Sequence, residues 1–282
     1  MRLRRGHVSR DNIMGKTKTQ PLTAATSDKH WLYERSVQNP EAEIDFIDHV
    51  FASEYDRKPE LLREDFCGTA FLSCEWVAHR AGNSALGVDL DGPTLDYGRE
   101  HHLSKLGDRA ERVTLVQDDV RAVQSPKADV LAATNFSWWG FHTRTALLEY
   151  MVNCRASLRD EGMLMLDIYG GPEAQVPQFE ERECEGFTYV WDQDVFNPIT
   201  HEYQCKIHFH FPDGSEMNNA FEYDWRLWMI PEVRDLLLEA GFHKVDVYWE
   251  GADEDGEPDG EFVVSEEGDT SPAWVAYIVA FR

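Results

Sequence analysis

The segment 61–91 constrains the fold more strongly than any other part of the sequence. An apolar run ends in a short turn around Gly68, and apolar residues then recur at helical spacing over residues 71–80. A second apolar run over residues 85–88 ends at Asp89. A strand, a glycine turn, a helix, a strand and an acid, in this order, are typical of the first half of a doubly wound nucleotide-binding sheet.

The residue types in this segment suit a nucleotide-like ligand. Gly68 has no Cβ, so the backbone can approach a ligand closely at this point. The helix that follows directs its N-terminal amides to the same place. Asp89, about twenty residues beyond the turn, can accept hydrogen bonds from both hydroxyls of a ribose. We therefore expect Gly68 and Asp89 to lie side by side at one site.

Four segments resemble, in order, the motifs of the class I S-adenosylmethionine (SAM) methyltransferases of the small-molecule type. These segments are DFCGTA (65–70), GVDLD (87–91), QDDV (117–120) and RDLLLEAGF (234–242). The resemblance extends from about residue 60 to the end of the chain. The family carries three glycines in the first motif, and we place Cys67 and Thr69 at two of those positions.

The resemblance implies an α/β fold with a Rossmann-like, doubly wound, mostly parallel seven-stranded sheet whose last strand is antiparallel. Residues 112–117, 128–134 and 163–169 are the predicted third, fourth and fifth strands. Residues 243–250 and 272–281 are predicted as an antiparallel pair at the sheet edge. The acidic stretch between them, 250–269, is predicted to be a solvated loop.

The predicted domain organisation has one domain with two additions. Residues 1–27 are expected to form a flexible arm, and residues 28–282 the methyltransferase domain. Two amphipathic helices within 28–56 are expected to cover the cofactor pocket, as the resemblance implies. Alternating apolar residues predict an inserted antiparallel β lobe over about 172–229, with three strands.

The resemblance assigns a set of residues to SAM, at strand ends where ligands of such sheets bind. The predicted cofactor-binding residues are Asp65, Phe66, Cys67, Gly68, Thr69, Asp89, Leu90, Asp118, Asp119, Val120, Asn135 and Phe136. Asp119 is the preferred contact to the adenine amino group. Asn135 is expected to contact the methionine part, and Phe136 to wall the pocket.

The acceptor side is predicted from residues that could accept a proton or hold a cation. Candidate bases are Tyr169, His142 and Asp224, with Glu222 as a further option. Candidate substrate-binding residues are Tyr33, Trp191, Trp225 and Arg226, because aromatic faces hold cations and a guanidinium pairs with a carboxylate. Strand alternation places Asp224 and Arg226 on one face and Tyr223 and Trp225 on the other, so only one set can face the pocket.

Composition excludes some partners. The formal net charge is −25, which disfavours a phosphate backbone as substrate. Five cysteines without a CxxC pair indicate a reducing cytoplasm, and no apolar run is long enough for a membrane span. His208 and His210 share a strand face, but no further metal ligand is set by spacing, so no metal is predicted. The oligomeric state stays open, with a homodimer as one option.

Together these patterns predict methyl transfer from SAM to a small polar acceptor, of which a cationic or amino acid-like molecule is one class. A protein or RNA acceptor is an alternative, as is a SAM-binding module without catalysis. A nicotinamide-dependent dehydrogenase is disfavoured, because those proteins need further glycines for the pyrophosphate.

Overall fold

The computed structural model describes residues 21–252 and 258–282. The helices in these residues are α1 Lys29–Ser36, α2 Pro40–Tyr55, α3 Phe71–His79, α4 Gly92–His101, α5 Arg144–Ser157 and α6 Ile230–Glu239. The strands are β1 Leu61–Asp65, β2 Ser84–Asp89, β3 Val113–Gln117, β4 Ala128–Ala133, β5 Leu158–Gly170, β6 Gln178–Cys184, β7 Phe187–Gln193, β8 Glu202–His210, β9 Glu216–Arg226, β10 Lys244–Ala252, β11 Pro258–Val264 and β12 Trp274–Phe281. None of these helices is long and apolar enough to cross a bilayer.

Eight strands form the main sheet in the order β11-β10-β12-β5-β4-β1-β2-β3. The five strands β1–β5 are parallel to one another where they pair. The strand β12 is antiparallel to both β5 and β10. This order confirms the predicted Rossmann-like, doubly wound class with an antiparallel last strand.

The eighth strand, β11, corrects the prediction of a solvated loop over residues 250–269. It pairs antiparallel with β10 and forms the outer edge of the sheet. Acidic residues concealed this strand in the sequence, because an edge strand needs no apolar pattern on its open side. Charge on an edge strand also disfavours pairing with another chain.

The core lies on both faces of the sheet. Helices α2 and α3 pack on one face, and α5 and α6 pack on the other. Every residue of β1 and β4 is therefore buried, as expected for parallel strands that are covered on both sides. Since β1 ends in Arg63, Glu64 and Asp65, three charged side chains enter the interior there and need partners.

The inserted lobe is a separate four-stranded antiparallel sheet in the order β6-β7-β8-β9. It lies between β5 and α6 in the chain, within the predicted range. Three strands were predicted, and β6 was missed because its sequence QFEEREC has four consecutive charged residues and lies at an edge, where half-buried and exposed positions alternate. The predicted apolar face of β8 is buried: Tyr203, Cys205, Ile207, Phe209 and Phe211.

Helix α1 and the residues before it lie against this lobe. Leu32 is fully buried in a cluster with Phe187, Ile207 and Phe209 of the lobe. The predicted arm 1–27 falls partly outside the described residues. In its described part, Leu22 packs on the same cluster. The backbone amide of Ala24 donates to the hydroxyl of Ser215 in the lobe over 3.0 Å.

Candidate functional site

The predicted convergence of Gly68 and Asp89 is present in the structure. The amide of Gly68 donates to Oδ2 of Asp89 over 2.7 Å. The Asp89 Oδ1 atom accepts from the amide of Asp91 over 2.9 Å. We call residues 66–70 the cofactor turn and residues 89–91 the acid turn, and one carboxylate joins them.

The cofactor turn contains three left-handed residues at alternate positions. Phe66, Gly68 and Ala70 have φ values of 56°, 54° and 54°. The positions that favour glycine are therefore those of Phe66 and Ala70, and the sequence-based assignment to Cys67 and Thr69 was wrong. A Cβ built on Gly68 would meet only the Thr94 methyl group, at 3.9 Å, so open space lies in front of this residue.

Leu90 and Asp118 extend the same surface. Leu90 is 69% exposed directly after Asp89, which suits an apolar contact with a flat ring. The amide of Asp118 donates to the backbone oxygen of Asp89 over 3.1 Å, so the third motif lies beside the acid turn.

The structure distinguishes the two acids of the third motif. The carboxylate of Asp119 is held by Arg121, whose Nη2 lies 2.6 Å from Oδ2. This hydrogen bond lowers the pKa of Asp119. Asp118 is exposed, and within residues 21–252 and 258–282 no ion pair holds its carboxylate as Arg121 holds that of Asp119, so the Asp118 carboxylate is more available to a ligand. Asp119 and Arg121 line an open groove of about 470 Å³ that contains no other predicted site residue.

Several predicted cofactor residues direct their side chains into the protein. Asp65 is buried and accepts from Arg63 Nε over 2.7 Å and from Tyr150 over 3.0 Å. The Arg63 guanidinium also binds the backbone oxygen of Val120 over 2.7 Å. Cys67 is buried, and its Sγ would lie only 2.9 Å from a Cβ at position 87. These buried side chains support the cofactor turn and the third motif from the interior of the protein.

Glu64 was missed by the sequence analysis. Its Oε2 accepts from the amide and hydroxyl of Ser73 over 2.9 and 2.5 Å, in the first turn of α3. It thereby caps a helix whose own N-cap residue, Ala70, has no capping side chain. Burial raises the pKa of Glu64 to about 8, with the charges of Glu43 and Asp89 adding to the rise.

A second strained turn follows β4. Asn135 and Phe136 both have a φ of 58°, and each such residue costs about 1–3 kcal/mol. The Phe136 amide donates to Oδ1 of Asp167 at the end of β5 over 2.9 Å. Burial, with a smaller contribution from the charge of Glu43 on α2, raises the pKa of Asp167 to about 8. A strained backbone turn and a buried carboxyl that is costly to ionise therefore lie together at the end of the site where the methyl group is predicted.

The lobe covers this end with aromatic rings, which we call the aromatic wall: Trp191, Tyr223 and Trp225. Tyr223 and Trp225 stack with ring centroids 4.5 Å apart, and Trp191 lies 6.1 Å from Trp225. Trp225 also meets Phe136 at 6.2 Å. The wall therefore faces the turn after β4 through Trp225, and the substrate-binding role of Trp191 and Trp225 stays a prediction.

Tyr33 of α1 completes the wall. Its ring lies 4.9 Å from that of Phe221, and it packs in the same apolar cluster as Tyr223. Burial raises the pKa of Tyr33, and the charges of Asp167 and Glu43 contribute. Tyr33 thus packs on the lobe beside the aromatic wall.

Tyr169 does not fit the predicted role of base. Its hydroxyl is hydrogen-bonded to that of Tyr203 in the buried core. Burial raises the pKa of Tyr169 well above its ordinary value, so its phenol stays protonated at neutral pH. The side chain is a packing and hydrogen-bonding element beneath the aromatic wall.

Asp224, His142 and Arg226 lie away from the wall. The side chain of Asp224 is exposed, and alternation places it opposite Tyr223 and Trp225. His142 Nε2 donates to the backbone oxygen of Asp224 over 2.8 Å. Arg226 pairs with Glu232 over 3.1 Å. These contacts stabilise the outside of the lobe, so the structure does not support the predicted catalytic and substrate roles.

The two lobe histidines pair with acids. His208 Nε2 lies 3.3 Å from Asp192, and His210 Nδ1 lies 3.6 Å from Glu181. The His208 Nδ1 accepts the amide of Asn219 over 2.9 Å. Within residues 21–252 and 258–282, no group of three or more potential ligands is placed to hold a metal ion.

Comparisons with known proteins give structural matches alone. No family model and no curated protein matches the sequence. A SAM-dependent methyltransferase from Clostridium acetobutylicum ATCC 824 matches with a TM-score of 0.66 and 14% identity, over 89% of this chain and 96% of that chain.

Two further solved structures match over nearly their whole length. CalS10, an amino pentose methyltransferase from Micromonospora echinaspora, has a TM-score of 0.64 and 15% identity, over 97% of this chain and 100% of its own. The sugar N-methyltransferase KedS8 from Streptoalloteichus sp ATCC 53650 has a TM-score of 0.59 and 15% identity, over 98% and 99%. At these identities the likeness establishes a shared fold.

Proposed function

Because the chain has the fold of the class I SAM-dependent methyltransferases, we propose that it transfers a methyl group from SAM to a small polar molecule that carries an amine. The single observation that carries this proposal is the hydrogen bond between Gly68 and Asp89. This hydrogen bond holds the Asp89 carboxylate beside Gly68, a residue without a Cβ that has open space in front of it.

The residues of both turns fit an adenosyl group. Asp89 would accept from the ribose hydroxyls, Leu90 would contact the adenine face, and Asp118 would accept from the adenine amino group. When bound, SAM supplies a methyl group that its sulfonium makes electrophilic. The task of the protein is then to bind, to orient and to exclude water.

The amine is proposed from the buried acids and the aromatic wall. Asp167 and Glu64 carry raised pKa values because burial disfavours their charge. A cationic ligand between acids and aromatic faces would relieve this penalty. Asp167 would also take up the proton that an ammonium group must lose before its nitrogen becomes nucleophilic. Only the ionised form of Asp167 can take up this proton, and with a pKa of about 8 the population of that form increases as the pH rises from 7 to 8.

Two of the matched structures support an amine, since CalS10 is an amino pentose methyltransferase and KedS8 is a sugar N-methyltransferase. The net charge of −25 argues against an RNA acceptor. All five cysteines are free thiols, which supports our proposal of a cytoplasmic location.

The test is incubation of the protein with radiolabelled SAM and a cell extract, followed by separation of small from large products. We expect label in a small product that separates by chromatography from unreacted SAM, which is itself a cation, and that carries a basic amine. Label in protein or RNA would favour the macromolecular alternative. Binding of SAM without any labelled product would favour a non-catalytic module.

A further inference from the structure

Helix α1 touches both halves of the proposed site. Leu32 is fully buried among Phe187, Ile207 and Phe209 of the lobe. Glu34, two residues further along, is only 8% exposed but lies on the other side of the helix, about 200° away. One side of α1 therefore packs on the lobe, and the other side faces the sheet domain.

Glu34 binds the cofactor turn and the C-terminal end of helix α4. Its Oε1 accepts from the hydroxyl of Thr69, in the cofactor turn, over 2.7 Å. The same oxygen lies 2.7 Å from Nε2 of His102, which carries the proton toward the carboxylate. His102 ends helix α4, and α4 starts directly after the acid turn. One carboxylate thus connects α1 directly to the cofactor turn and, through the length of helix α4, to the acid turn.

The connected segments have little room to move separately. A Cβ on Gly98 of α4 would lie 2.2 Å from the backbone oxygen of Thr69, so α4 and the cofactor turn are in direct contact. The ring of His102 stacks on Phe71 of α3 at 4.8 Å. A shift of the cofactor turn must therefore be accompanied by a shift of α4 or of Glu34.

We propose that Glu34 is a positioning residue that couples cofactor binding to the order of the acceptor side. A ligand at Gly68 and Asp89 restrains Thr69 and His102, these restrain Glu34, and α1 then restrains the lobe through Leu32. Tyr33, between the two, carries the same restraint to the aromatic wall. This inference rests on the proposed function and predicts that the cofactor binds before the acceptor.

The experiment is hydrogen exchange of the intact protein, with and without saturating S-adenosylhomocysteine. In the wild type, this probe should slow exchange in the two turns and also in β8 and β9, by about five-fold or more. In Glu34→Ala, the turns should still be protected on binding, while the additional protection of β8 and β9 is lost. Leu32→Ala should give the same separation, because it cuts the other end of the connection.

Two further variants make the test specific. Glu34→Gln keeps an oxygen acceptor for both partners and should restore a measurable part of the lobe protection. Glu75→Ala removes an exposed glutamate of α3 and should behave as the wild type. Far-ultraviolet circular dichroism and the unfolding midpoint confirm that each variant is folded.

The outcomes separate this inference from the function on which it rests. If S-adenosylhomocysteine does not bind the wild type by calorimetry, the proposed function fails and the coupling fails with it. If it binds and protects the turns, but the lobe exchange is unchanged, only the coupling is refuted. Unaltered lobe protection in Glu34→Ala would also refute it.

Discussion

Replacement of the buried Asp167 by asparagine should stabilise the folded protein while abolishing most of its activity. The pKa of this carboxyl is raised by burial from 3.8 to about 8. Between these values the folded state holds a proton that the unfolded state releases. The free energy of unfolding of the wild type therefore falls as the pH rises through this window.

The size of the effect follows from the shift. The ordinary pKa of Asp167 lies about three pH units below pH 7, and each unit corresponds to ~1.4 kcal/mol of unfolding free energy. The buried carboxyl therefore lowers the unfolding free energy at pH 7 by about 4 kcal/mol. Asparagine keeps an oxygen acceptor for the Phe136 amide, but the weaker hydrogen bond loses about 1 kcal/mol. We expect a net stabilisation of about 2–3 kcal/mol at pH 7, allowing for some hydration of the carboxyl.

The assay is urea unfolding of the wild type and Asp167→Asn at pH 5, 7 and 9. The stability difference should be small at pH 5, clear at pH 7 and largest at pH 9. Asp108→Asn, a surface change on the same kind of residue, is the matched control and should show no such trend. A variant that is less stable than the wild type at pH 7, with a difference independent of pH, would refute the reasoning.

Three further predictions concern individual site residues. Gly68→Ala should cost only about 1–2 kcal/mol in unfolding free energy, from its left-handed backbone, yet should weaken SAM binding at least ten-fold in calorimetry, because the methyl group fills the space for the ligand. Asp118→Asn should weaken SAM binding about ten-fold, the loss of one charged hydrogen bond, whereas Asp119→Asn should change it little; the reverse order would restore the sequence-based assignment. Tyr169→Phe should keep methyl transfer within a few-fold and lower the unfolding free energy by about 1 kcal/mol; a loss of all turnover with normal SAM binding would return Tyr169 to a catalytic role.

The adenosyl half of the site could be predicted because parallel strands end at one sheet edge. The spacing from Gly68 to Asp89 spans one strand–helix–strand unit, so the two residues must converge whatever packs around them. The structure shows the resulting hydrogen bond directly.

The buried acids could not be predicted because β1 is covered on both faces. Arg63 and Asp65 share one face and pair there, while Glu64 points to the other and caps α3. A strand with only one buried face would have shown which acid faces the ligand through its alternation. Three adjacent charged residues in a sequence do not show which of their side chains faces the ligand.

The residues that line the acceptor side could not be predicted without knowing where the inserted lobe lies on the sheet. Alternation correctly separated Asp224 and Arg226 from Tyr223 and Trp225, but it could not say which set faces the sheet. The pairing of β8 with β9 places Tyr223 opposite Cys205, whose side chain is fully buried. The burial of this strand pair against the rest of the protein decides which face lines the site.

The most direct test of this account is calorimetric titration of the intact protein with SAM, in the wild type and in Asp89→Ala. We predict saturable binding to the wild type with a dissociation constant in the micromolar range. The variant should remain folded and bind about 30-fold or more weakly, since two charged hydrogen bonds to the ribose are lost. Absence of binding to the monodisperse wild type, or equal affinity in the two proteins, would contradict the assignment of Gly68 and Asp89 to an adenosyl site.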